Sequence, residues 1–187
     1  MDTSEANERL EMVDRILSHA AGTPRPSGAL FIVWGVEGAI GTVLIQLVNA
    51  GRIAPSWMWL AGAVAVAAIA YTIFWVRRCR GRGRLSVVDA AFVRVLYVAL
   101  LAAFVGSDGA FNIFTGWSAG AIWSVCLAIP LLFVGWLGNR SATVGGAILL
   151  ASVVVANFTP HAIGYVLAAG WILGYAGAGL AFELQRD

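Results

Sequence analysis

Residues 74–97 read FWVRRCRGRGRLSVVDAAFVRVLY. Arg77, Arg78, Arg80, Arg82 and Arg84 crowd into a short stretch with apolar sequence on both sides. Inside the second apolar stretch stand Asp89 and one more cation, Arg94. A basic cluster between two runs long enough to cross a bilayer marks a loop retained on the cytoplasmic side. The rest of the chain fits that reading. Hydrophobic residues make up 60% of the 187 and charged residues 12%, and mean hydropathy is +0.82. Soluble domains carry about 25% charged residues. So much apolar surface is placed only where lipid is the solvent.

Six apolar runs are expected to be transmembrane helices, near 29–49, 57–76, 86–105, 117–137, 141–157 and 161–182. Each is close to the ~20 residues that cross ~30 Å of hydrocarbon, the fifth being shortest. The sequence predicts an all-α polytopic membrane protein with two parts. Residues 1–28 form a cytoplasmic N-terminal amphipathic helix and linker, and residues 29–187 a six-helix transmembrane bundle. Arginine placement sets the orientation. With six spans and the N-terminus inside, the inner segments hold Arg9, Arg15, Arg25, the five-arginine loop, Arg140 and Arg186, while the outer segments hold only Arg52. Both termini are then cytoplasmic, in a bacterial inner membrane. Trp57, Trp59 and Trp117 fall at outer ends, and Trp75 and Trp136 at inner ends, where indoles favour the interface.

The five-arginine loop reads as a topology signal with anionic head groups as its neighbours, and not as a nucleic-acid site. In the N-terminal segment Leu10, Val13, Ile16 and Leu17 fall on one helical stripe. Asp2, Glu5 and Glu8 in its early turns suit a helix N-terminus but not anionic lipid. The stripe is expected to dock on protein, a partner or the chain's own cytoplasmic face. Gly35, Gly38 and Gly41, and Gly170, Gly174 and Ala178, are small residues that let helices approach closely. Packing within one bundle is the expectation, and an oligomer remains compatible with it.

Ionisable groups inside spans are expensive and mark sites. Glu37 in the first span and Arg94 in the third lie at matching depth, each eight residues past the expected start of its helix, or ~12 Å. An unpaired arginine near mid-membrane costs about 2.5–3.5 kcal/mol, so a buried Glu37–Arg94 ion pair is expected, with Asp89 as a further intramembrane polar group. Asp108, Asn112, Asn157 and His161 could rim an outer-face pocket. His19 and His161 fall on opposite sides, which excludes a bis-histidine haem or a zinc triad within one chain. No metal and no other cofactor is expected.

Ser118 in GWSAGAIW (116–123) and His161 in PHAIGY (160–165) are similar in layout to rhomboid intramembrane proteases, which carry a serine on the fourth span and a histidine on the sixth. The rhomboid G-x-S-G reads G-W-S-A here, and the histidine-plus-asparagine motif of span two is absent. ERLEMVDRIL (8–17) followed by GALFIVWGVEGAIG (28–41) resembles a set of uncharacterised bacterial six-helix inner-membrane proteins. These pair a short helical N-terminus with an F-x-x-W-G first span and are often encoded beside PadR-type regulators. That resemblance implies no activity and favours a stress- or regulation-linked accessory protein; the expectation is a non-enzymatic accessory or regulatory subunit of a membrane complex. The alternative is a small-molecule or ion transporter, or its binding component, favoured by a wet cavity that reaches Glu37 or His161.

The arginine asymmetry makes a direct prediction about topology. In intact cells, a cysteine at position 83 of a cysteine-free chain should be protected from an impermeant thiol reagent, and a cysteine at position 108 should react. Equal labelling or the reverse pattern would remove the six-span arrangement.

Overall fold

The computed structural model describes residues 28–81, 87–107 and 118–184, with the backbone alone for 79–81 and 87–90. The expected N-terminal helix with Leu10, Val13, Ile16 and Leu17 lies outside the described residues. So do Arg82 and Arg84 of the basic loop, the side chains of Arg80 and Asp89, and Asp108 and Asn112.

The described residues are helical throughout, joined by short turns. Helix α1 spans Gly28–Asn49, α2 Met58–Gly81, α3 Val87–Ser107, α4 Ala119–Trp136 and α5 Arg140–Phe158. The last helix, α6, has three segments: an α-helix Ile163–Gly170, a π-helical segment Trp171–Ala176 and an α-helix Gly177–Leu184. Five stretches are long and apolar enough to cross a membrane: Gly28–Asn49, Pro55–Arg78, Ala119–Trp136, Arg140–Phe158 and Pro160–Leu184. A shorter apolar helix, Ala91–Ser107, is the sixth. The chain is a helical membrane-embedded protein of the multi-pass kind. Trp59 and Trp136 are 83% and 87% exposed at opposite ends of the bundle, as interfacial indoles are.

Local sequence explains the connections. Gly51 and Gly138 have φ of +66° and +100°, left-handed values that let the chain reverse tightly after α1 and α4. Ser118 caps α4, its side chain accepting from Ala121 N at 3.2 Å. Asn139 caps α5 in the same way, accepting from Ala142 N at 3.1 Å.

Helix order in space differs from order in sequence. The neighbours run α2, α1, α6, α5, α4, α3, so the two flanking helices, α2 and α3, are consecutive in the chain. The tightest seam joins α1 to α6, which run antiparallel. A Cβ on Gly28 would strike the Gly179 carbonyl, one on Gly35 the backbone of Ala176, and one on Gly38 the Trp171 ring. On the next seam, Gly145 of α5 and Gly174 of α6 each face the other's carbonyl. Gly170 abuts Ser152, and Ala178 lies against Gly145. Lipid tails are as apolar as leucine, so helices associate here through close van der Waals fit and not through exclusion of water. At the Gly28 end, Phe31 gathers Phe92, Tyr175 and Phe182, with ring centroids 5.6, 5.4 and 5.2 Å away. Glu183 Oε1 accepts from Ala29 N at 3.1 Å, which places a carboxylate on the first turn of α1.

Two glycines of α1 should therefore respond oppositely to the same change. Gly35→Ala forces backbones apart and should cost about 1–3 kcal/mol. A Cβ at Gly41 meets nothing within 4 Å, so Gly41→Ala should be neutral or stabilising by up to about 1 kcal/mol through helix propensity. Thermal unfolding in detergent micelles checks both, and equal effects would show that the seam is not the tight contact.

Candidate functional site

A cavity of about 350 Å³ lies between α1, α2, α3 and α4, with Trp171 of α6 in its wall. Its helices contribute unequal side chains for a local reason. On α1 and α2 the lining includes Gly38, Gly41, Ala61, Gly62 and Ala65, which leave a hollow where larger residues would fill it. Gly41 and Gly62 both face open space. On α3 and α4 the lining is Leu100, Phe104, Gly120 and Trp123. The lining runs from Trp34 to Ile45 on α1 and takes in the first half of α2, the end of α3 and the start of α4. The cavity therefore extends from mid-bundle toward the Asn49 end.

Among the described residues, Glu37 is the single charged one of the lining. It stands nine residues past Gly28 and twelve before Asn49 on α1. At 1.5 Å per residue that is ~14 Å and ~18 Å from the two ends, near mid-span. Around it, hydrogen bonds hold two indoles in place. Trp34 Nε1 donates to Thr72 Oγ1 at 3.0 Å, and Thr72 donates to Ala68 O at 2.8 Å, tying α1 to α2. Trp123 Nε1 donates to Ser107 Oγ at 3.2 Å, tying α4 to α3. Trp171 is different. It is 1% exposed, yet its Nε1 is buried with no acceptor among the described residues. Buried donors are nearly always satisfied, and one left over calls for an explanation such as an ordered water. Trp171 also opens the π-helical segment. Such segments shift the register of the residues beyond them and recur at functional sites. Thr42, also in the lining, is turned back on its own helix, donating to the carbonyls of Gly38 and Ala39.

The expected Glu37–Arg94 pair is not formed. Glu37 is half-buried at the cavity, whereas Arg94 is exposed on α3 and absent from the lining. No ion pair joins them among the described residues. Depth matched, but azimuth did not: Phe92 of α3 is buried against Phe31 of α1, whereas Arg94 lies on the exposed side of α3. Arg94 is seven residues, ~10 Å, past the start of α3. Its exposed position lets a long side chain run along the bundle surface toward the interface, which removes the need for a buried partner.

The remaining sequence-predicted residues scatter. Arg77 and Arg78 are exposed at the end of α2. Asn157 and His161 are exposed near the α5–α6 turn, away from the cavity lining. Ser118 Oγ is occupied as a helix cap. The His161 carbonyl accepts from Gln46 Nε2 at 3.0 Å, while Gln46 Oε1 accepts from Gly164 N at 3.0 Å. Gln46 thus clamps α1 to the start of α6. Sequence reasoning missed Gln46, Thr72 and the three lining tryptophans. A polar residue in an apolar run was the available signal for Gln46 and Thr72; nothing in the spacing marked Trp34, Trp123 and Trp171 as neighbours.

In chemical terms the site has one carboxylate, three indole rings and a wall of small and aliphatic residues. It lacks the six or more oxygens a hard metal ion takes. Among the described residues, no cluster of His, Cys, Asp or Glu could hold a metal. No family model, curated protein or solved structure matches the chain.

A double-mutant cycle tests the separation of the two charges. Glu37→Gln and Arg94→Gln should combine additively within ~0.5 kcal/mol in detergent unfolding. A coupling above ~1 kcal/mol would show that the charges meet.

Proposed function

We propose that this chain is a small-molecule transporter of a bacterial cytoplasmic membrane, or the substrate-binding component of one. In this reading it has six spans, cytoplasmic termini and Glu37 in its binding site. The observation that carries it is the cavity that reaches a mid-span carboxylate. A charged side chain at this depth is retained where it serves a ligand, a proton path or a partner charge, and Arg94 does not supply the partner. The cavity size falls within the range of small-molecule sites, ~300–1,000 Å³, and its apolar wall with few polar groups is typical of them. The arginine asymmetry puts the Asn49 half on the extracytoplasmic side, so the site would lie toward the outer half of the bilayer.

Binding, and not chemistry, is the role the lining supports. Among the described residues Glu37 has no second titratable group beside it in the wall, so they supply no general acid and base pair there. The accessory-subunit alternative depends on the stripe of Leu10, Val13, Ile16 and Leu17 and is not what the cavity recommends.

A panel of cationic, anionic, zwitterionic and neutral amphiphiles, scored by thermal shift in detergent, tests the binding reading. At least one class should stabilise the protein by roughly 2.7 kcal/mol at a hundred times its Kd. Gly41→Phe, which places a ring in the hollow, should abolish that shift. No stabilisation by any class, or an equal shift in the variant, would overturn the reading.

A further inference from the structure

We infer that the Glu37 cavity takes lipophilic organic monocations that reach it sideways from the bilayer, between α2 and α3. The inference rests on the binding reading above and names its substrate class and route.

Charge comes first. A carboxylate in an apolar wall ionises readily only with a counter-charge beside it, and among the described residues the lining contains no arginine or histidine to provide one. A ligand with one positive charge would. An anion would meet Glu37 unfavourably, and a dication would bring a charge with no partner. Ring chemistry comes second. Trp34, Trp123 and Trp171 line the same cavity as Glu37. Indole faces attract organic cations through the ring quadrupole, more strongly where water is excluded, and aromatic walls are the recurrent solution for quaternary ammonium groups. The hydrogen bonds of Trp34 and Trp123 to Thr72 and Ser107 fix those two rings in advance, so little ordering is required on binding. Polarity comes third. With Thr42 turned to its own backbone, few hydrogen-bonding groups are left for a sugar or an amino acid.

The route follows from the order of the helices. Among the described residues α2 packs on α1, and α3 packs on α4, with α2 and α3 at the two ends of the series. Both line the cavity, and the lining residues Gly62, Ile69 and Phe104 are exposed on the lipid-facing surface. Toward the Gly28 end, Phe31, Phe92, Tyr175 and Phe182 pack ring against ring and do not line the cavity. A ligand that enters through this side must first dissolve in the bilayer, so its charge has to be carried on an apolar body.

Two ions of the same shape and opposite charge provide the test: tetraphenylphosphonium and tetraphenylborate. The full-length protein in lipid nanodiscs is titrated with each, and binding is read by tryptophan fluorescence and calorimetry. Tetraphenylphosphonium should bind saturably and tetraphenylborate at least tenfold more weakly. Tetramethylammonium, which carries the charge without the apolar body, should also be at least tenfold weaker. Glu37→Gln should weaken the phosphonium at least tenfold, Glu37→Asp should restore part of the loss, and Gly41→Phe should block binding. If tetraphenylborate or a neutral amphiphile binds as well, is blocked by Gly41→Phe and ignores Glu37→Gln, the cation assignment falls while the binding reading stands. If Gly41→Phe blocks nothing, both fall. Equal binding of tetramethylammonium overturns the lipophilic requirement. Should Glu37→Gln fail to fold, the phosphonium–borate comparison on the unmodified protein decides the matter by itself.

Discussion

Backbone-to-backbone approach along the α1–α6 seam is the constraint on which the other features depend. Gly28, Gly35 and Gly38 on one helix meet Gly179, Ala176 and Trp171 on the other. In lipid no expulsion of water draws helices together, so fit between small residues has to do so. Once α6 lies this close, Trp171 is pressed over Gly38, one residue from Glu37. The indole that lines the cavity and the carboxylate that charges it are neighbours because a glycine leaves room for them.

The same seam explains why a hollow exists at all. With α6 on one side of α1 and α2 on the other, α3 is left to pack on α4. The flanking helices α2 and α3 then share a cavity without closing over it. α2 is the least buried of the five long spans, and its small residues Ala61, Gly62 and Ala65 face the gap. Close packing and open space thus come from one kind of residue. At Gly35 the missing side chain is replaced by a neighbouring backbone, and at Gly41 by nothing within 4 Å. Sequence alone does not separate the two cases, since both are glycines on one apolar helix.

Glu37 shows the limit of one-dimensional reasoning in another way. Its expense inside a span singled it out, and the cavity wall does contain it. Its expected partner came from depth along the helix axis, a quantity that residue counting supplies. Pairing also needs the two side chains on facing sides of adjacent helices, which counting does not supply. Arg94 is exposed at the bundle surface, and Glu37 faces an apolar, tryptophan-lined space. The polar residues that fasten helices, Gln46, Thr72 and Ser107, act through contacts 16 to 118 residues apart in sequence.

By itself the sequence determined that this is an all-helical, membrane-embedded chain and where its apolar helices run. Length, composition and hydropathy act locally, and lipid permits few spanning structures other than a helix with its backbone bonds closed within the segment. It also marked Glu37, because the cost of a buried charge is a property of one position. Tertiary structure alone decided which helices are neighbours, that α6 carries a π-helical segment at Trp171, that Arg94 turns outward, and that three tryptophans and a carboxylate surround one cavity. Those outcomes depend on azimuth and on the fit of small residues between helices far apart in sequence. Neither quantity has a period or a spacing that a single chain of letters displays.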